Sequence, residues 1–239
     1  MNIALLTAGG IGNRMGQDIP KQFMHIDNCQ VIIYTMRAFQ HCEDIDAIAV
    51  VCLKGWEVVL QSYANQYNID KLKWIFEGAD TNQNSIANGV FGLKDAGCSD
   101  DDIILVHDGV RPLVSNEIIH NNIETCKRYG YAVTGLTCKE AIMELVGENV
   151  HQIDIPRERL IRTQTPHTYR LKTLIDSHLK AREMGIRNTV ASCTLLTELG
   201  ITDQCYVKGS EKNGLKLTNP EDVELFKSMK NTAPEPWMK

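Results

Sequence analysis

The chain begins with a short apolar run that leads directly into a glycine-rich loop. Residues 2–7 read NIALLT and residues 7–16 read TAGGIGNRMG. An apolar run of this length is typical of a strand buried on both faces of a sheet. Glycines directly after a strand allow positive φ and close approach of a ligand, and successive N–H groups can bind phosphate oxygens. The segment therefore predicts a buried first strand followed by a phosphate-binding loop.

Strand and helix patterns alternate along the rest of the chain. Apolar runs predict strands at 46–53, 73–76, 102–107, 132–136 and 204–207, and helical spacing predicts helices at 31–41, 56–67, 82–94, 118–129, 171–184, 189–199 and after Pro220. This alternation is typical of an α/β fold with a doubly wound, mostly parallel sheet, in which ligands bind beyond the carboxyl ends of the strands. We therefore expect the site where strands 2–7 and 102–107 end.

The alternation breaks between about residues 139 and 163. The stretch AIMELVGENVHQIDIP alternates apolar and polar residues around Gly147-Glu148-Asn149, which predicts a β-hairpin. Such an insertion is either an arm that contacts a neighbouring subunit or an edge hairpin of the same domain, and both interpretations remain open here. A loop is expected at 164–167. Because no linker or repeat is evident, we expect residues 1–239 to form a single domain with an inserted β-arm.

Composition excludes several classes of protein. The hydrophobic content of 43% and the charged content of 23% are those of a soluble globular chain, not of a disordered or collagen-like one. A net charge of -5 without a basic cluster argues against a nucleic-acid partner, and no apolar run is long enough for a membrane helix. The chain begins without the basic segment of a signal peptide, and its eight cysteines form no C-x-x-C pair. We therefore expect a cytoplasmic protein without disulfides or a membrane partner.

Several interpretations compete for the glycine loop. A glycine-rich turn can simply close a β-α unit. An NAD(P)-binding loop needs an acidic residue at the end of the second strand, but the sequence there is Leu53-Lys54-Gly55. Binding of a nucleoside triphosphate would explain Arg14 and Lys21, because two cations near one phosphorus stabilise the transition state of transfer at that phosphorus. The pattern favours a nucleoside triphosphate.

Five motifs stand in order along nearly the whole chain. They are AGGIGNRMG at 8–16 with PKQF at 20–23, HDGVRP at 107–112, Arg157, QTP at 164–166 and KLTNPED at 216–222. Together they resemble the sugar-alcohol-phosphate cytidylyltransferases, which include methylerythritol-phosphate and ribitol-5-phosphate cytidylyltransferases. The resemblance implies a Rossmann-like nucleotidyltransferase fold. It also implies that an acceptor phosphate attacks the α-phosphorus of CTP, with Mg²⁺ bridging phosphates, to give a CDP-alcohol and pyrophosphate.

The resemblance implies a role for each matching residue. The nucleotide would be bound by Thr7, Ala8, Gly9, Gly10, Gly12, Gly78, Asn84 and Ser85. The catalytic residues would be Arg14 and Lys21, which stabilise the transition state, with Arg157 and Lys216, which hold the acceptor phosphate. The acceptor would be bound by Asp108, Arg111, Glu140, Asn188 and Thr189, with Asp108 also near Mg²⁺. Independently of the resemblance, Asp108 ends a strong strand at the expected ligand-binding edge, although a loop-fixing aspartate is the alternative.

The sequence also departs from the family pattern. Asn82 stands where the family usually has an arginine, the acidic pair of a later motif is lost in Asn188-Thr189-Val190-Ala191-Ser192, and the segment before Lys216 is one residue longer. Most departures fall where the acceptor is expected. We therefore predict that the CTP chemistry is kept while the acceptor differs, and Ala8-Gly9-Gly10 is more similar to the ribitol-phosphate branch.

Four functional hypotheses follow. The first is a cytidylyltransferase acting on D-ribitol 5-phosphate or a related sugar-alcohol phosphate, for cell-surface polysaccharide or teichoic acid synthesis. The second is a 2-C-methyl-D-erythritol 4-phosphate cytidylyltransferase of isoprenoid synthesis. The third is an NAD(P)-dependent reductase, and the fourth is a nucleotide-binding protein without catalysis. Homodimerisation through the β-arm is a further implication of the resemblance.

Overall fold

A computed structural model describes residues 1–10, 19–153 and 155–232 of the chain. Gly12 and Arg14, both predicted site residues, lie outside the described residues. The strands are β1 (Asn2–Ala8), β2 (His25–Ile26), β3 (Cys29–Gln30), β4 (Ala47–Cys52), β5 (Leu72–Glu77), β6 (Ile103–Asp108), β7 (Tyr131–Thr137), β8 (Met143–Val146), β9 (Asn149–Gln152), β10 (Ile161–Arg170) and β11 (Cys205–Lys208).

The α-helices follow the predicted spacing closely. They are α1 (Val31–Gln40), α2 (Glu57–Gln66), α3 (Asn82–Asp95), α4 (Asn116–Tyr129), α5 (Leu171–Glu183), α6 (Ser192–Glu198), α7 (Glu211–Gly214) and α8 (Pro220–Thr232). The helix predicted at 189–199 begins later, at Ser192, because the backbone is extended at Ala191, with φ -156° and ψ 164°. Among the described residues, no helix combines the length and the apolar content that crossing a bilayer requires.

Seven strands form the central sheet, in the order β11-β7-β10-β6-β1-β4-β5. Every neighbouring pair is parallel except those that β10 makes with β6 and β7, so β10 alone runs in the opposite direction within this sheet. The carboxyl ends of β1, β4 and β6 therefore meet at one edge. The predicted α/β, mostly parallel architecture is confirmed.

Both faces of the sheet are covered by helices, as predicted for a doubly wound fold. Leu6 of β1 packs in one core with residues of α1, α2 and α4, whereas Leu5 packs in the other core with residues of α3, α5 and α6. Successive residues of β1 thus enter opposite cores. This double burial explains why the strand is a continuous apolar run and not an alternating one.

The prediction of a loop at 164–167 is wrong, because this segment lies inside strand β10. Local sequence suggested a loop, since Pro166 lacks an N–H and cannot complete a ladder. The pairing of β10 with β7 indeed shifts register between Thr163 and His167. The strand nevertheless continues, because β6 and β7 flank it on both sides through residues distant in sequence.

The predicted hairpin is present and stands apart from the central sheet. Within the described residues, strands β8 and β9 pair only with each other, with Met143 opposite Gln152, and Gly147 takes a φ of +63° in the turn. The arm is shorter than predicted, since residues from Ile161 onward already belong to the central sheet. Apolar side chains of the hairpin are exposed, including Leu145 and Val150. We call residues 139–160 the β-arm.

Candidate functional site

A cleft of about 480 Å³ opens at the carboxyl ends of β1, β4 and β6, where the sequence places the site. Its wall combines the glycine loop, the segment before α3 and the segment before α8. The lining residues are Thr7, Ala8, Gly9, Gly10, Lys21, Gln22, Leu53, Ala79, Asp80, Thr81, Asn82, Ser85, Asp108, Val110, Lys216 and Thr218. The cleft thus brings together most of the residues predicted to bind the nucleotide, together with Lys21, Asp108 and Lys216.

Two glycines and a serine pack closely at the inner side of this cleft. A Cβ on Gly78 would lie 2.9 Å from the carbonyl oxygen of Cys52 and 3.1 Å from Cα of Gly9. A Cβ on Gly9 would lie 3.3 Å from Oγ of Ser85. Only glycine fits at position 78 without a shift of backbone, so this side of the cleft is shaped by close approach of main chains.

Gln22 fixes the first residues of the glycine loop. Its side chain is buried, and its amide donates to the carbonyl oxygens of Ala8 at 2.7 Å and Gly10 at 3.0 Å. Gln22 belongs to a short 3₁₀ turn, Lys21–Phe23, that follows Pro20. One turn therefore fixes the loop and places Lys21 on the cleft. The sequence analysis missed Gln22, although the PKQF motif contains it.

Helix α3 begins at the opposite side of the cleft. The hydroxyl of Thr81 accepts from the N–H of Asn84 at 3.1 Å, an N-cap that fixes the first turn. The hydroxyl of Ser85 accepts from the N–H of Ala79 at 2.9 Å and orders the preceding segment. A helix N-terminus carries partial positive charge and favours anions, so this wall suits a phosphate chain.

Lys21 and Lys216 bring positive charge to the same cleft. Lys21 lies near enough to Asp222 to contribute to its electrostatics. Burial raises the pKa of Asp222, but hydrogen bonds from Thr218 and Asn219 and the charge of Lys21 together lower it. Thr218 also lines the cleft. The segment 216–222 is thus held next to the Lys21 turn.

Asp108 lies in a partly buried charge cluster at the end of β6. Its carboxylate accepts from Nε of Arg111 at 2.8 Å and contacts Nζ of Lys216 at 3.1 Å. Burial alone would raise the pKa of Asp108, but the charges of Lys216 and Arg111 hold it well below its usual range. Asp108 is therefore a carboxylate at neutral pH, and it fixes the position of two cations.

The loop that carries Lys216 is anchored on β10. Arg111 donates to the carbonyl of Gly214 at 2.6 Å, and the side-chain amide of Asn213 donates to Oε1 of Gln164 at 2.9 Å and to the carbonyl of Thr165 at 3.0 Å. Thr165 in turn accepts from the N–H of Asp108 at 3.1 Å. The QTP motif thus acts as a clamp between the carboxyl end of β6 and the loop before Lys216.

A second cavity of about 160 Å³ adjoins the cleft, and we call it the rear pocket. It shares Thr7, Asn82, Asp108 and Lys216 with the cleft. The remaining lining residues are Ile86, Val106, His107, Arg111, Thr163, Gln164, Thr165, His167, Val190, Ala191 and Ser192. Arg111 thus lies at the rear pocket, and so does much of the segment in which the sequence departs from the family.

Several predicted site residues lie elsewhere. Asn84 donates to Oδ1 of Asp80 at 2.9 Å and, with Asn188, lines a neighbouring cavity beside α5. Thr189 is buried and bonded to Gln83. Asn84, Asn188 and Thr189 line neither the cleft nor the rear pocket, because the N-terminal turn of α3 and the 186–189 segment pack against each other there.

Arg157 and Glu140 lie on the β-arm, outside the cleft of their own chain. Arg157 is exposed, and its guanidinium donates to the carbonyl of Lys139 at 2.9 Å. Glu140 is also exposed. The sequence predicted that Arg157 and Lys216 hold one phosphate, but within a single chain the two residues line different cavities.

The described carboxylates that line the cleft and could contact Mg²⁺ are those of Asp80 and Asp108. Asp108 is engaged by Arg111 and Lys216, and Oδ1 of Asp80 accepts from Asn84 at 2.9 Å. Among the described residues, no group of three or more His, Cys, Asp or Glu side chains is arranged to hold a metal. Mg²⁺ on a triphosphate needs only one or two carboxylates besides phosphate oxygens. A Mg²⁺ ion that accompanied a triphosphate would meet two carboxylates in the described part of the cleft, those of Asp108 and Asp80.

Comparison with known proteins agrees with this geometry. The model of the family "IspD: 2-C-methyl-D-erythritol 4-phosphate cytidylyltransferase" matches residues 2–229. A ribitol-5-phosphate cytidylyltransferase of Lacticaseibacillus paracasei is 38% identical over 95% of this chain and 97% of its own, and one of Vibrio parahaemolyticus is 37% identical over 97% of both.

Solved structures support the fold. The crystal structure of 4-diphosphocytidyl-2C-methyl-D-erythritol synthase from Anaerococcus prevotii superimposes with a TM-score of 0.78, covering 96% of this chain and 95% of that one at 21% identity. The family match excludes the reductase hypothesis, and Leu53 lines the cleft where a ribose-binding acid would be needed. The chain therefore belongs to the 2-C-methyl-D-erythritol 4-phosphate cytidylyltransferase family and is a cytidylyl-transferring enzyme.

Proposed function

We propose that the enzyme transfers the cytidylyl group of CTP to D-ribitol 5-phosphate or a closely related sugar-alcohol phosphate. The products are the CDP-alcohol and pyrophosphate. The observation that carries the proposal is one cleft that joins the glycine loop, Lys21 and Lys216 and continues into the rear pocket at Asp108. The two ribitol-5-phosphate cytidylyltransferases at 38% and 37% identity support this acceptor over methylerythritol phosphate, which remains the alternative.

The reaction is an in-line displacement at phosphorus. A phosphate oxygen of the acceptor forms a bond to the α-phosphorus of CTP, while the bond from that phosphorus to the bridging oxygen breaks and its electron pair leaves with pyrophosphate. The chain contributes position and charge, not a covalent intermediate. Thr7–Gly10 and the N-terminus of α3 hold the nucleotide, and Lys21 and Arg14 stabilise the negative charge that develops on the phosphoryl oxygens.

The acceptor phosphate binds at Lys216. This side chain is about 40% exposed, whereas Asp108 and Arg111 beside it are about 16% and 12% exposed. Lys216 can therefore contact an incoming anion while Asp108 keeps it in place. Asp108 is the residue that would hold a Mg²⁺ ion accompanying the triphosphate, and the ion would supply charge neutralisation there.

The β-arm supports a homodimer. Its exposed apolar residues are those expected of a surface that a second copy covers. In such a dimer Arg157 and Glu140 could complete the cleft of the other copy, which one chain alone does not allow. We further propose that residues 1–239 form one domain with this arm and that the enzyme works in the cytoplasm.

The test is pyrophosphate release from CTP with ribitol, glycerol, erythritol and methylerythritol phosphates as acceptors. We expect release that requires both CTP and a phosphorylated acceptor, with the highest kcat/KM for ribitol 5-phosphate. The same assay without acceptor is the control for CTP hydrolysis. Normal CTP binding without turnover on any acceptor would overturn the proposal, and a higher kcat/KM for methylerythritol phosphate would favour the alternative.

A further inference from the structure

The rear pocket contains two buried polar atoms that the rest of the described chain does not satisfy. Nε2 of His167 and Oγ of Ser192 have no hydrogen-bond partner within the described residues. Both residues line the rear pocket, and their exposed fractions are only 2% and 4%. Buried polar groups are nearly always hydrogen-bonded, so two such atoms around one cavity indicate a ligand with complementary polar groups.

The sheet register places the His167 side chain toward this pocket. His167 pairs with Val106 across β10 and β6, so the two side chains lie on the same face of the sheet. Val106 also lines the rear pocket. His107, the next residue on β6, faces the other core, where its ring lies 5.1 Å from that of Phe39. Although His107 lines the rear pocket, its ring, with the unpartnered Nδ1, thus packs on the side of Phe39.

The inner end of the rear pocket is polar but carries no formal charge. Burial lowers the pKa of His167 to about 4, so the imidazole is neutral at pH 7 and can donate or accept a hydrogen bond. Two other buried residues, Ile86 and Ser192, line the same pocket. The cations Arg111 and Lys216 lie at the end shared with Asp108. Such a pocket suits uncharged hydroxyl groups, with the phosphate remaining at Lys216.

We infer that the rear pocket binds the end of the acceptor chain farthest from its phosphate, and that His167 and Ser192 hydrogen-bond the terminal hydroxyls and select for chain length. The inference rests on the proposed function, since it concerns where the acceptor of that same reaction binds. A short acceptor such as glycerol 3-phosphate leaves the two polar atoms unpaired. A site built to pair with a hydroxyl discriminates strongly against a ligand that lacks it.

The test compares two acceptors in four variants. Ser192→Ala and His167→Leu remove the polar atoms, His167→Gln keeps a hydrogen-bonding group, and Ser177→Ala changes a buried serine of α5 that lines neither the cleft nor the rear pocket. For each variant, kcat/KM is measured with ribitol 5-phosphate and with glycerol 3-phosphate at saturating CTP. The thermal midpoint is recorded to verify folding.

We expect Ser192→Ala and His167→Leu each to lower the ratio of the two kcat/KM values about tenfold, as the loss of one hydrogen bond predicts. His167→Gln should recover part of the ratio, and Ser177→Ala should leave it unchanged. An equal fall for both acceptors, or no change in the ratio, would overturn the inference while the proposed function stands. No turnover of any polyol phosphate by the wild-type enzyme would instead overturn the proposed function, and the inference with it.

Discussion

The cleft and the β-arm are built in opposite ways. At the cleft, Asp108, Arg111 and Lys216 are tied to one another and to the loop at 213–214. On the β-arm, Leu145 is 73% exposed and β8 and β9 pair only with each other. The cleft is therefore positioned by contacts within its own chain, whereas the arm has apolar side chains that the described part of the chain leaves uncovered. Four predictions test this contrast, beginning with the largest effect.

The largest effect is expected at the cations beside the glycine loop. Lys21→Ala and Arg14→Ala should each lower turnover by about 100-fold or more, equivalent to ~2.7 kcal/mol of transition-state stabilisation. The measurement is steady-state pyrophosphate release at saturating CTP and acceptor. Lys172→Ala is the matched control, because Lys172 pairs with Asp176 on the outside of α5. Near-normal turnover in both variants would contradict the proposal that Lys21 and Arg14 stabilise the transition state.

Close packing at the cleft gives the second prediction. Gly78→Ala should lower the free energy of unfolding by about 2 kcal/mol, because the new methyl group meets backbone atoms of Cys52 and Gly9 that cannot move independently. Urea denaturation measures the change. Gly10→Ala is the control, since no described atom lies within 4 Å of its Cβ position. Equal stability of the two variants would show that the backbone around Gly78 can shift to accept a methyl group, and that the cleft is not rigidly packed there.

The third prediction concerns acid stability of the core behind the cleft. Burial, with a smaller contribution from Arg182, lowers the pKa of His178 to about 4, below the unfolded value near 6.5. The unfolded chain therefore binds more protons between these values, so the free energy of unfolding falls as pH falls from about 6.5 to 4. His178 should contribute roughly 2 kcal/mol to the loss between pH 7 and 5.

Urea denaturation of His178→Gln at both pH values measures this contribution. The variant should show a smaller difference between pH 7 and 5 than the wild type, with turnover at pH 7 unchanged. Ser177→Ala, its neighbour on α5, should keep the wild-type difference. An unchanged pH dependence in His178→Gln would show that this histidine is not kept neutral by burial.

The smallest effect on stability is expected on the β-arm. Leu145→Asp should change the free energy of unfolding of the dilute protein by less than about 0.5 kcal/mol, because the side chain is exposed. It should nevertheless weaken self-association measured by sedimentation velocity, if the arm is the dimer surface. Val58→Asp, which is 78% exposed on α2, is the control. Equal effects of the two variants on association would contradict a dimer through the arm.

Much of the fold was predictable because its strands are buried on both faces. The continuous apolar runs of β1, β4 and β6 are recognisable in the sequence, and these strands end at the cleft. The glycine loop and Asp108 directly follow or end two of these runs, so their positions were predictable as well. The exception is β10, where Pro166 and the polar residues around it resemble a loop. Its strand conformation depends on β6 and β7, which a local pattern cannot report.

The candidate site likewise contains residues that the sequence identified and residues that it missed or misplaced. The positions of Thr7 and Asp108 at the cleft were predictable because each ends an apolar run, whereas Lys21 was identified by its closeness to the glycine loop and Lys216 by the family motif. Gln22 was missed, since its role consists of two hydrogen bonds to the backbone of a loop that precedes it in the chain. Asn84 and Asn188 were placed by motif alone, and the packing of α3 against the 186–189 segment puts them in another cavity.

The sequence by itself determined most of the strands and helices along the chain and the reaction class, because these depend on local periodicity and on residue types at fixed spacing. Only the tertiary structure decided that Asp108 holds two cations, that QTP clamps the Lys216 loop, and that His167 and Ser192 line one pocket. These facts depend on burial and on contacts between residues far apart in the chain. No local pattern encodes such contacts, because their energies arise only when water is excluded between the packed elements.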